Sequence, residues 1–197
     1  MLAAILMECP TEELVVADDV TLRDMAPGDV KVKIAHSGVC HSDLSAMNGT
    51  IPQAPPAVLG HEGAGVVTDV GDGVTHVVPG DHVIIAFSPP CGTCPFCTGR
   101  NQPNLCINGL IAMGSNPQFR RGDTVVGAMT GCGTFAEETI VPGMAAIKID
   151  KDVPLDVAAL VGCGVTTGVG AALNTAKVTP GSSVLVIGAG RVGVAAI

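Results

Sequence analysis

Four cysteines, Cys91, Cys94, Cys97 and Cys106, fall in the run CGTCPFCTGRNQPNLC, two successive C-x-x-C steps with a fourth cysteine nine residues on. Thiolates at that spacing can wrap a tetrahedral ion, and a closed four-sulfur shell suits structural zinc because it leaves no position for a substrate. A reduced cysteine-rich loop is the plainer alternative. An iron–sulfur cluster is the third, although the spacing differs from the usual ferredoxin runs. Catalysis needs an ion with an open position, so its ligands must come from elsewhere. The segments GVCHSDLS, LGHEGAG and VGCGVTTG offer Cys40, His61 and Cys163. Spacing does not join these three. Taken singly, Cys163 reads as a small buried hydrophobe and His61 as a turn histidine. Their neighbours shift the balance: Glu62 follows His61 and Asp43 lies three after Cys40. Both are carboxylates able to orient a ligating imidazole. Gly60, Gly63 and Gly65 allow a tight backbone turn around the ligand.

A third constellation lies in SVLVIGAGRVGVAAI. An apolar run from Ser183 to Ile187 reads as a buried strand. Gly188, Gly190 and Gly193 form G-x-G-x-x-G, and a helix opens after them. In that context the glycines let backbone approach a pyrophosphate, whose charge the helix N-terminus favours. The acidic residue about twenty positions on that reads the ribose is missing, as are the other strands of such a sheet. A βαβ unit takes at least ~30 residues, so the expectation is the front part of a longer protein with an incomplete Rossmann domain.

These groups need elements to hold them. DVKVKIAHSGV alternates Val30, Val32 and Ile34 with Lys31 and Lys33, a half-buried strand. GAGVVTDVGDGV, PGDHVIIAF, GTFAEETIV and AAIKI read as further short strands, with Gly and Pro between them. Such spacing predicts a mostly β, barrel-like or sandwich unit over residues 1–150. The texture changes near Lys151. VPLDVAALVGCGVTTGVGAALNTAKVTPG is Ala-rich and ends at Pro180-Gly181, which predicts a helix despite its glycines. Residues 151–197 are therefore read as a linking helix plus the first strand and glycine turn of an α/β dinucleotide-binding unit.

Composition narrows the function classes. With 197 residues the chain can bury a core. Its net charge of −8 argues against a nucleic-acid partner, which needs a basic face. With four Phe, no Trp and no Tyr, a ring-stacking recognition surface is unexpected. MLAAILMECP lacks a basic n-region and is broken at Glu8, a poor signal peptide. The uncharged stretch from Val157 to Ala176 is diluted by Gly, Thr and Asn, which argues against a membrane span. A cytoplasmic location with reduced thiols is expected, where eight cysteines point to metal or catalysis rather than disulfides.

GHEGAGVVTDVGDGV, CHSD, the four-cysteine lobe, GCGVTTG and GAGRVG stand in the order found in zinc-containing alcohol dehydrogenases, and the chain resembles that medium-chain dehydrogenase family over nearly its whole length. The resemblance implies a catalytic domain of the GroES-like barrel type joined to a Rossmann domain, two zinc ions per chain, and NAD. It implies that Cys40, His61 and Cys163 hold the catalytic zinc and that Cys91, Cys94, Cys97 and Cys106 hold the structural one. Glu62 and Asp43 would support the first site, with Asp43 hydrogen-bonding His61. Ser42 matches the hydroxyl that takes the alcohol proton, His41 a residue near the cofactor phosphates, and Thr167 a nicotinamide contact. Gly188, Gly190 and Gly193 match the pyrophosphate turn. Two departures stand out: the step from Cys97 to Cys106 is one residue longer than the family pattern, and Ser45 replaces a relay histidine found in some members. Phe87 is a candidate pocket wall, while Cys9 and Cys132 have no assigned role.

The implied reaction is oxidation of a primary or secondary alcohol to an aldehyde or ketone, in a homo-oligomer acting on a small molecule, with neither nucleic acid nor membrane as partner. Cys163, where polyol dehydrogenases often carry a carboxylate, favours simple alcohols or formaldehyde–thiol adducts. A glutathione- or mycothiol-dependent formaldehyde dehydrogenase is thus one alternative reading, and a non-catalytic zinc-binding chain is another.

Overall fold

The structure, a computed structural model, describes residues 1–109 and 117–197. The alternation at Val30 and Val32 becomes β4 (Asp29–Gly38), whose two valines are fully buried. β4 lies inside a five-stranded antiparallel sheet of order β10-β4-β6-β7-β11, with β6 (Glu62–Val70), β7 (His82–Ile85), β10 (Glu138–Pro142) and β11 (Ala146–Ile149). A second sheet orders β2-β1-β5-β9-β8-β3 from β1 (Ala3–Leu6), β2 (Val15–Ala17), β3 (Val20–Leu22), β5 (Ala57–Val58), β8 (Phe119–Arg121) and β9 (Thr124–Ala128). Its β5–β9 pairing is parallel.

Two apolar layers hold these sheets. Val30, Val32, Val67, Val83, Ile85 and Val141 fill one, and Ile5, Val20, Val58, Phe119 and Val126 fill the other. Each such side chain contributes roughly 1.5–3 kcal/mol of burial. The result is the mostly β, barrel-like unit expected from the strand spacing. The β4–β6 ladder shifts register between Ile34 and His36, so the end of β4 is re-aimed toward Val39 and Cys40.

Four helices are used below: α1 (His41–Met47), α2 (Pro95–Thr98), α3 (Leu155–Thr175) and α4 (Arg191–Ala196). In α3, Ala158 and Ala159 pack on Ala64 of β6, small side chains that bring helix and sheet close. The helix widens into π geometry over Val161–Val165 and again over Ala171–Thr175. It ends at Thr175, before the Pro180-Gly181 turn that was expected to stop it, and Lys177 takes a left-handed φ of 52°. By length and composition alone α3 could cross a membrane. Ala158 and Ala159 are buried against β6, whereas Val157, Val169 and Leu173 stay exposed.

The strand expected from Ser183 to Ile187 does not form. The segment runs without regular structure and pairs with no strand among the described residues. A strand exists through its ladder, and no neighbour is there to supply one. Leu185 and Ile187 are 84% and 91% exposed. Unpaired apolar backbone of this kind invites association. Dilution-series light scattering on residues 1–197 is expected to show concentration-dependent self-association, reduced in a Leu185→Lys, Ile187→Lys variant. A monodisperse monomer at high concentration would contradict this.

Candidate metal centres

Cys91, Cys94, Cys97 and Cys106 converge so that all four sulfurs lie within 4.8 Å of one another. Their lobe is built from α2, which starts at Pro95 directly after Cys94, and a single 3-10 turn at Pro103–Leu105. All four thiols are free. Cys94 Sγ stands 3.5 Å from Cys97 Sγ and 3.9 Å from Cys106 Sγ. A tetrahedral shell with Zn–S near 2.3 Å has sulfur–sulfur edges of about 3.8 Å, so the cage fits that ion.

Donors point inward at the sulfurs. Cys91 Sγ accepts from the amides of Thr93 (3.5 Å) and Cys94 (3.3 Å), from the Thr93 hydroxyl (3.4 Å) and from Asn108 Nδ2 (3.3 Å). Cys106 Sγ accepts from the amides of Cys91 and Gly109, each at 3.2 Å. The Thr93 hydroxyl and amide, with the Cys94 amide, pull the Cys91 thiol down to about 5. Desolvation and the adjacent thiols push Cys97 up to about 11. The Cys97 amide also draws the Cys94 thiol down, and gathering thiolate charge in one cage calls for a cation.

The second cluster is assembled from three elements. Cys40 caps α1, His61 precedes β6, and Cys163 lies in the first π segment of α3. Their ligand atoms and a Glu62 oxygen lie within 4.8 Å of one another. The α1 cap explains part of this order. Asp43 sits at the third helical position, where Oδ2 accepts the Cys40 amide at 2.9 Å in a capping box. Oδ1 accepts the Gly60 amide at 3.1 Å and lies 3.3 Å from His61 Nδ1. That contact occupies one ring nitrogen and leaves Nε2 for a metal. Burial opposes a charged imidazole, but Asp43 and Cys163 outweigh it and raise His61 to about 10. The pocket is therefore one that favours a cation. Phe87 meets the His61 ring edge-on, with centroids 5.9 Å apart.

Among the nearby glycines, only Gly60 makes a turn. Its φ is +88°, and a Cβ would lie 2.7 Å from the Phe135 amide nitrogen. Gly63 and Gly65 belong to β6, where a side chain would strike Thr134 and the Lys33 carbonyl respectively. Close strand packing, rather than a turn around the ligand, accounts for those two.

The remaining candidates spread around this pocket. Ser42 Oγ is 3.6 Å from Cys40 Sγ and half-buried, whereas His41 and Thr167 face solvent. Gly188 has a φ of +106°, Gly190 caps α4, and a Cβ on Gly193 would clash with the Gly188 carbonyl. The glycine turn is thus present although its preceding strand is not. Arg191, which sequence reasoning passed over, reaches back from this turn. Its Nη1 donates to Glu62 Oε2 and its Nη2 to the Val39 carbonyl. The available signal was that Glu62, beside a ligand, needs a counter-charge and that Arg191 is the one arginine after Arg121.

The family profile described as alcohol dehydrogenase GroES-like domain matches residues 26–151. The chain belongs to that family. The match takes in β4, α1, β6, the four-cysteine lobe and β11, with Cys40 and His61 but not Cys163 inside it. An S-(hydroxymethyl)glutathione dehydrogenase of Escherichia coli O1:K1 is 45% identical, with 88% of this chain and 50% of that protein covered. The solved alcohol dehydrogenase zinc-binding domain protein from Burkholderia ambifaria superposes with a TM-score of 0.90 at 32% identity, covering 99% of this chain and 54% of that one. Benzyl alcohol dehydrogenase from Acinetobacter calcoaceticus gives 0.85 at 32% identity, covering 99% and 53%. The chain thus spans about half the length of the curated relatives it matches.

Proposed function

We propose that this chain supplies the zinc-binding catalytic part of an NAD-dependent alcohol dehydrogenase, which oxidises a primary or secondary alcohol to an aldehyde or ketone. One observation supports this above the others: Cys40, His61 and Cys163 meet from three separate elements, apart from a complete four-thiol cage. The cage would hold a structural zinc, and the Cys40, His61, Cys163 set would hold a catalytic one. Zinc at three protein ligands supplies Lewis acidity toward an alcohol or carbonyl oxygen. Asp43 fixes the His61 tautomer, and Phe87 walls the ring. Ser42 is placed beside Cys40 to take the alcohol proton and pass it outward. Position 45 is a serine, so no relay histidine stands there. Thr167 and the turn of Gly188, Gly190 and Gly193 are proposed to face the cofactor, with His41 near its phosphates.

The 45% identity to an S-(hydroxymethyl)glutathione dehydrogenase supports a second reading, in which the substrate is a formaldehyde–thiol adduct. The cytoplasm and a homo-oligomer are proposed as the setting. The chain of residues 1–197 by itself is proposed to bind zinc and to bind NAD negligibly, which calorimetry tests.

Steady-state assays on a protein of the relatives' length, comparing simple alcohols with S-(hydroxymethyl) thiol adducts, separate the two readings by kcat/KM. Turnover of neither class by zinc-loaded protein would overturn the proposal. In the same protein, Ser42→Ala is expected to lower kcat by roughly 10²-fold. The loss should be greatest toward acid pH, where the alcohol proton is hardest to remove. A flat ratio of variant to wild type across pH would contradict the proton role.

A further inference from the structure

Glu62 is fully buried, yet only one of its carboxylate oxygens is satisfied among the described residues. Oε2 takes Arg191 Nη1, and Oε1 has no hydrogen-bond partner among the described residues. The architecture leaves room for this pair. A Cβ at Gly38 would lie 2.2 Å from Glu62 Oε2 and 2.9 Å from Arg191 Nη1. A Cβ at Gly164, next to Cys163, would lie 3.8 Å from Oε1 and 3.5 Å from Arg191 Cβ. The end of β4, the start of β6, the π segment of α3 and the glycine turn therefore meet around one ion pair. Arg191 also anchors on the carbonyl of Val39, the residue before Cys40.

We propose that Arg191 is a positioning residue. It neutralises Glu62 and engages its Oε2, so that this carboxylate, although one of its oxygens lies within 4.8 Å of the Cys40, His61 and Cys163 ligand atoms, does not become a fourth protein ligand of the centre. It also ties the glycine turn to that centre. This rests on the reading of the triad as a metal site. The physical reason is charge. A carboxylate with no exposure needs a compensating cation. Without Arg191 the nearest compensating cation would be an ion held by Cys40, His61 and Cys163. Removing a positive charge beside a cation site also raises its affinity for the ion.

The test uses residues 1–197 loaded with Co²⁺. The signal of the triad site is isolated as the difference from His61→Ala. Wild type is expected to bind two Co²⁺. Arg191→Met is expected to change the d–d bands of the triad site as the carboxylate joins the shell, and to tighten that site about tenfold or more in chelator competition. The four-thiol site should be unmoved. Glu62→Gln should abolish both effects when combined with Arg191→Met, a cancellation that a merely structural role would not produce. Arg191→Lys keeps the charge and should stay near the wild-type spectrum, which keeps the test open if Arg191→Met folds poorly. Two bound Co²⁺ with identical triad spectra and affinities in wild type and Arg191→Met would overturn this inference alone. A wild type that binds one Co²⁺ would overturn the metal-site reading as well.

Discussion

Cys91→Ser is expected to release the metal of the four-thiol cage and to unfold its lobe before the rest of the chain. Among the described residues, little else holds that lobe. Its helix α2 has four residues with no buried side chain among them, and Leu105 and Ile107 are about half exposed. Inward-pointing amides around Cys91 and Cys106 organise the sulfurs, but they do so around an ion. Closed thiolate sites supply on the order of 10 kcal/mol of folding free energy, far more than the lobe's few apolar contacts can offer. Hydrogen exchange should then rise over residues 91–109 while β4 and β6 remain protected. Wild-type protection across the lobe in Cys91→Ser would contradict the assignment.

His61→Ala is expected to behave in the opposite way. The fold and the cage should persist, because β6 and its apolar layer do not depend on the imidazole. The triad, however, loses one of three ligands, and Asp43 loses the partner that Oδ1 faces at 3.3 Å. Turnover by a protein of the relatives' length should fall to background, a loss of 10⁴-fold or more if the metal leaves, since removing a residue from a cooperating catalytic set costs on that order. His61→Ala retaining near-normal kcat would remove the triad from the chemistry.

The strands of the five-stranded sheet were legible because β4 alternates at Val30 and Val32, β7 follows a Pro-Gly-Asp turn, and Gly and Pro punctuate the short runs of the others. The six-stranded sheet was not read. Its members run from two to five residues, too short for a period to show, and β1 looked only like an apolar N-terminus. The cage could be read from spacing alone because its ligands are local. The triad could not, since Cys40 and His61 meet Cys163 only after β4, β6 and α3 have packed. Resemblance rather than spacing joined them. Arg191 was hidden behind the glycines on either side of it. Ser183–Ile187 misled for the converse reason: local apolar pattern predicts a strand, but the ladder that makes one is non-local.

The measurement that bears most directly on the central claim is zinc per chain by native mass spectrometry of residues 1–197, alongside Cys91→Ser and His61→Ala. Two sites with separate ligands predict two zinc ions in wild type, one in each single variant and none in the double variant. One zinc in wild type, or loss of both ions in either single variant, would contradict the account of two independent centres.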